Sequence, residues 1–251
     1  MKKKDYVGLK SVNNFGSKIE IIAYRNAKDV DIYFEEYNYI VKSRYSHFKN
    51  GDIKCPYERR FYNVGFMGKG IYKDDNNNKK CFHVWTDMLR RCYDVNGKYY
   101  DRYGAIGCRV CEEWLCFQNF AEWYYNNYYE IDNKVMNLDK DILIKGNKIY
   151  LPKTCIFVPH DINKLFTKSN KTRGEYPIGV SKSKTYGKVR ARCSVNGKTK
   201  ELGEYYSIEE AFQVYKKFKE SYIKQIADEY EPYIPKELYD AMYRYEVEIT
   251  D

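Results

Sequence analysis

The stretch "NLDKDILIKGNKIYLPKTCIFVPHDIN", Asn137 to Asn163, gathers side chains that can do chemistry. Asp139 and Asp141 alternate along an expected strand and so share a face; two carboxylates placed that way can hold Mg²⁺ or Mn²⁺ through oxygen. His160 stands three residues before Asn163, which puts both on one face of an expected helix, and an imidazole there can take a proton from water. Between the two acids stands Lys140. With a reference pKa of about 10.4, a lysine is charged near neutral pH and cannot accept water's proton, although it can stabilise a phosphorane-like transition state. Each residue also has a plainer use: the acids as a solvated strand face, His160 as a surface or capping residue.

Cys108-x-x-Cys111 has the knuckle spacing of a tetrahedral zinc site. Cys92 and Cys155 are candidates to complete a structural zinc set, with Cys81 and Cys116 as competitors. The same cysteines can equally serve as small buried apolar groups.

These candidates sit in a chain of 251 residues, long enough for two or three small domains. The net charge is +9, which favours polyanions such as nucleic acid. The charge is concentrated. Between Lys164 and Lys200 lie Lys168, Lys171, Arg173, Lys182, Lys184, Lys188, Arg190, Arg192 and Lys198, against the single acid Glu175. Aromatic residues make up 18%, including 29 tyrosines, which suit small cores and wet interfaces alike. The opening "MKKKDYVGLK" has no apolar stretch behind it, and no run approaches the roughly 20 apolar residues of a membrane span. The expectation is a cytoplasmic protein without membrane contact, whose cysteines are thiols or metal ligands.

The elements expected to position these residues form an α+β chain. Residues 1–72 read as a small β module, from "KIEIIAYR" and "DVDIYFEEYNYIV". After a polar, mobile connector at 72–80, residues 73–170 carry two helices, "FHVWTDMLRRCY" and "CEEWLCFQNFAEWYYNNYY". A strand, a Gly-Asn turn, a second strand and a helix from His160 to Phe166 then form a ββα segment. Residues 171–251 hold three strands, with an Asn196-Gly197 hairpin turn, packed on one helix. Ser207 and Glu210 form a capping box at its start. In "KVRARCSV" the apolar Val189, Ala191, Cys193 and Val195 face the helix, while Lys188, Arg190 and Arg192 face out. An outward cationic sheet can enter a DNA groove, or it can be a solvated surface that does nothing. Lys200 breaks the inward parity set by Leu202, so the third strand is expected to be bulged at Lys200.

Two resemblances follow. "YPIGVSKSKTYGKVRARCSVNGKTKELGEYYSIEEAFQVY" resembles the plant APETALA/ethylene-response DNA-binding domain, through Gly179-Val180, Lys188, Ala191, Gly197-Lys198, Leu202-Gly203, Tyr205, Glu210-Ala211 and Tyr215. This implies double-stranded DNA as partner, with Lys182, Lys184, Lys188, Arg190, Arg192 and Lys198 as contacts. "WTDMLRRCY", "YGAIGCRVCEEWLCFQNFAEW" and "LDKDILIKGNKIYLPKTCIFVP", with Asn163, resemble phage-encoded proteins of the HNH homing-endonuclease type. That resemblance implies a metal held by Asp139, Asp141 and Asn163, with Asn147 in the turn orienting the base. It also puts Lys140 where the catalytic histidine is expected, with His160 as the substitute. A descendant without cleavage, acting on DNA or on a host or phage protein, is the competing expectation.

Overall fold

In the computed structural model, residues 6–167 and 175–251 are described. The linker cations Lys168, Lys171 and Arg173 lie outside them. The expected α+β class holds, with a small antiparallel sheet near the N-terminus and a three-stranded antiparallel sheet near the C-terminus. Among the described residues no helix is long and apolar enough to cross a membrane. By internal contacts the chain forms two units, Met1–Asn127 with Lys148–Pro152, and Tyr128–Asn147 with Lys153–Asp251. The boundaries expected near 72 and 170 do not coincide with this division.

In the first unit, alternation builds a meander of β1 (Lys10–Val12), β2 (Lys18–Asn26), β3 (Asp29–Phe34) and β4 (Tyr39–Ser43). Every second residue of β3, Val30, Ile32 and Phe34, is fully buried, beside Ile19 and Ile21 of β2 and Phe48 of α1 (Tyr45–Asn50). The buried Glu58 takes Asn13 Nδ2 at 2.7 Å and Ser17 Oγ at 2.5 Å on one oxygen. A second core uses α2 (Lys79–Tyr93), α3 (Glu112–Leu115) and α4 (Phe117–Asn127). The long second helix of the sequence reading is broken at Cys116, whose backbone is extended. The fully buried Trp85 donates its indole N–H to Trp114 O at 2.7 Å. The connector at 72–80 is tied down: Gln118 accepts from Tyr72 N and donates to Tyr72 O.

In the second unit, β6 (Met136–Asp139) pairs with β8 (Ile156–Pro159), and α5 (His160–Leu165) follows directly. The C-terminal sheet has order β11-β10-β9, from Val180–Lys182 (β9), Val189–Val195 (β10) and Lys198–Tyr205 (β11). The helix α6 (Ile208–Tyr230) starts where the capping box is expected, with Ser207 Oγ accepting from Glu209 N and Glu210 N. Its 23 residues span about 35 Å at 1.5 Å per residue. That length lets one helix serve two cores. Ala211, Phe212 and Tyr215 pack on Val180, Val189, Ala191 and Cys193 of the sheet. Ile223 and Ala227, further along, pack on Val158 and Ile162 of the ββα segment, joined by Leu238 and Met242 of α7 (Lys236–Tyr243).

Ile223 is fully buried at this second junction. Ile223→Ala should therefore lower unfolding stability by about 2–5 kcal/mol through lost transfer energy and a residual cavity. Urea denaturation checks this, with the exposed Ile208→Ala on the same helix expected to change stability by less than about 0.5 kcal/mol.

Candidate functional site

The ββα segment differs from the local hairpin expected from sequence. β7 (Ile149–Tyr150) does not pair with β6; it pairs in parallel with β5 (Arg109–Val110). Tyr150 is 2% exposed in the first unit, and its hydroxyl lies near Arg91. Burial of that ring outweighs the hairpin signal of the Gly-Asn turn. The partner of β6 is β8, in the register Asn137↔Val158 and Asp139↔Ile156.

The strand ends at Asp139, so the expected alternation with Asp141 does not continue. Asp139 Oδ1 accepts two backbone N–H bonds, from Asp141 at 2.8 Å and Ile142 at 2.7 Å, and the chain turns around it. Burial, then the charge of Asp141, push the Asp139 carboxyl up to about 6, against the pull of those N–H groups and of Lys140. Lys140 is 7% exposed. Its Nζ donates to Asn147 O at 3.1 Å and lies 3.3 Å from Asp141 Oδ2. Asn147 returns the contact: its Nδ2 donates to Lys140 O at 2.6 Å and to Thr154 Oγ1 at 3.1 Å. Lys140 and Asn147 thus clip the two ends of one loop. Thr154 was not legible as a member of this clip, because its part depends on where the loop returns.

His160 is exposed at the first residue of α5. Asn137 Nδ2 lies 2.9 Å from His160 Nδ1, so a donating amide leaves the ring proton on Nε2. Asn137 is the neighbour that sequence reasoning missed; only its even spacing from Asp139 along β6 pointed to it. Asn163 is half-buried one turn further along. Among the described residues no hydrogen bond brings His160 or Asn163 to Asp139 or Asp141. The proposed Mg²⁺ set fits poorly. One Asp139 oxygen is spent on two N–H groups, and Asp141 faces an ammonium.

The four cysteines considered for zinc fall in both units. Cys92, Cys108 and Cys111 belong to the first and Cys155 to the second. Among the described residues no three His, Cys, Asp or Glu side chains gather in a way that could hold a metal ion. Burial pushes the Cys81 thiol up to about 12 and raises that of Cys111.

The C-terminal sheet follows the expected parity in β10. Val189, Ala191 and Cys193 are buried, and Arg190 and Arg192 share the outer face. A bulge is present, but at Leu202 and not at Lys200: Leu202 is the extra residue between the pairs Ala191↔Gly203 and Arg192↔Glu201, and Lys200 stays on the same side as Leu202. Lys200, opposite Cys193, faces the helix and sets its ammonium 4.8 Å from the centre of the Phe218 ring. Lys182 is opposite Val189 and Lys198 opposite Val195, so register assigns both to the helix side of the sheet, where they are exposed at its margins. Lys184 is exposed in the β9–β10 turn, and Lys188 lies over Tyr206 at 4.7 Å. The outer face also carries acids. Glu201 opposes Arg192 and Glu204 opposes Arg190. Glu204 accepts from Ser183 Oγ and from Thr185 Oγ1, the latter at 2.8 Å, and the Ser183 hydroxyl holds its carboxyl below the usual range. Arg190 Nε donates to Ser181 Oγ at 3.3 Å.

Comparison with family models, curated proteins and solved structures finds no match for this chain.

The raised Asp139 carboxyl has a sign. In the folded state it holds its proton to a higher pH than an unfolded aspartate, so its contribution to stability is complete below about 4 and is lost as pH rises through about 6. Asp139→Asn keeps an oxygen to accept the turn N–H bonds and removes the charge. The variant should be more stable than wild type at pH 7, by up to about 3 kcal/mol, and the two should converge near pH 4. Thermal unfolding across that pH range measures the effect.

Proposed function

We propose that this chain is a phage-type DNA-binding protein of the cytoplasm, which holds duplex DNA on the outer face of its C-terminal sheet and does not cut it. The observation that carries the negative half is Lys140. At the position where the HNH resemblance expects a histidine base, a buried ammonium is engaged by Asn147 O and Asp141. A charged, occupied lysine has no lone pair for water's proton, and the acids beside it are poorly placed for a divalent cation. The ββα segment then serves as a scaffold, with the ends of its loop fastened by Lys140 and Asn147.

The positive half rests on the outer face of β10. Arg190 and Arg192 lie two residues apart on one strand, so they project in the same direction about 7 Å apart. That spacing suits phosphates or guanine edges in a groove. Glu201 and Glu204 among them make the face selective, because an unmatched acid repels the backbone of a duplex placed in the wrong register.

Two measurements test the reading. Fluorescence anisotropy with labelled duplex DNA should show salt-sensitive binding. Arg190→Ala with Arg192→Ala should weaken it and reduce the log–log salt slope by about two; unchanged affinity would remove the sheet from the interface. Plasmid DNA incubated with Mg²⁺ or Mn²⁺ should stay intact. Cleavage by wild type that vanishes in Asp139→Asn would replace the reading with that of an active nuclease.

A further inference from the structure

The segment Tyr245–Asp251 carries three acids, Glu246, Glu248 and Asp251, and it is seated on the loop of the ββα segment. Lys145 of that loop meets it at three points. Its Nζ donates to Glu246 O at 2.9 Å and to Asp251 Oδ2 at 2.9 Å, and lies 3.4 Å from Glu248 Oε1. The same ammonium sits 5.2 Å from the centre of the Tyr245 ring. Asp251, 3% exposed, also accepts from Glu248 N. The far side is fastened to α6: Lys216 Nζ donates to Val247 O at 2.8 Å, and Glu220 accepts from Val247 N at 2.8 Å. Val247 is buried in the sheet core.

A lysine ammonium surrounded by carboxylates and a carbonyl is in the surroundings that phosphate oxygens would otherwise supply. Glu246 and Glu248 remain exposed on this segment, so their charge repels a DNA backbone approaching the loop. Beside Lys145, the loop residues Asp141 and Gly146 are exposed. We infer that residues Tyr245–Asp251 form an autoinhibitory acidic strap that occupies Lys145 in place of a DNA phosphate. Contact between duplex DNA and this loop requires the strap's charge to be displaced. The inference rests on the DNA-binding reading above and adds a second, masked contact to the sheet.

The test is DNA affinity against salt for the full chain. Glu246→Gln with Glu248→Gln removes charge from two exposed side chains and should leave the fold intact. Asp251→Asn, added to these, removes the carboxylate charge nearest to Lys145. Affinity at low salt should rise by about three- to ten-fold across the series, and the salt slope should steepen by about one in the triple variant. Lys145→Met in the triple background should abolish both gains. If wild type binds DNA and the Glu246→Gln/Glu248→Gln variant binds no better, with an unchanged slope, the strap is a structural fastening and the inference fails while the sheet reading stands. If neither wild type nor any variant binds duplex DNA at low salt, the DNA-binding reading itself fails and the inference with it.

Discussion

The second unit depends on one helix closing two cores. The N-terminal half of Ile208–Tyr230 covers the inner face of the three-stranded sheet, and its C-terminal half covers Val158 and Ile162 of the ββα segment. Neither partner has enough apolar residues of its own to bury both faces. The two-stranded β6–β8 pair with a six-residue helix is far below the size at which a core sustains itself. Its interior is completed by Ile223, Ala227, Leu238 and Met242, all C-terminal to the sheet. The ββα segment is therefore a facet of a larger fold.

Within that facet, Lys140 is held by acceptors that offset its desolvation. A buried ammonium is tolerated only where acceptors replace its water. The turn around Asp139 and the return of the chain at Asn147 provide them, so the lysine becomes the fastener of the loop. Asp139 carries the opposite burden. It is half-buried beside another carboxylate, and both favour its neutral form, yet it accepts two backbone N–H bonds that favour the charged one. The turn keeps an electrostatic cost in exchange for its shape.

The sheet face shows how bulge and charge combine. The extra residue Leu202 changes the parity of β11 midway, so Lys200 and Leu202 both face the helix while Glu201 and Glu204 both face outward. Glu204 is drawn into the β9–β10 turn by two hydroxyls, which stiffens that turn and absorbs part of the negative charge on the face.

Residue types and local periodicity were sufficient for the α+β class, the helices α2 and α6, the N-cap at Ser207, and the inward and outward sides of β10. Each depends on near neighbours, through a 3.6- or two-residue period or a cap a few residues away. The partner of β6 was not legible, because the burial of Tyr150 draws Ile149–Tyr150 to Arg109–Val110, some forty residues back in the chain. The break at Cys116, the sharing of α6 by two cores and the seat of Asp251 on Lys145 were hidden for the same reason. The sequence by itself placed Lys140 between two acids and left open what it does. Tertiary structure decided that its ammonium is buried against Asn147 O, because only the folded loop brings together groups seven residues apart and excludes water from between them.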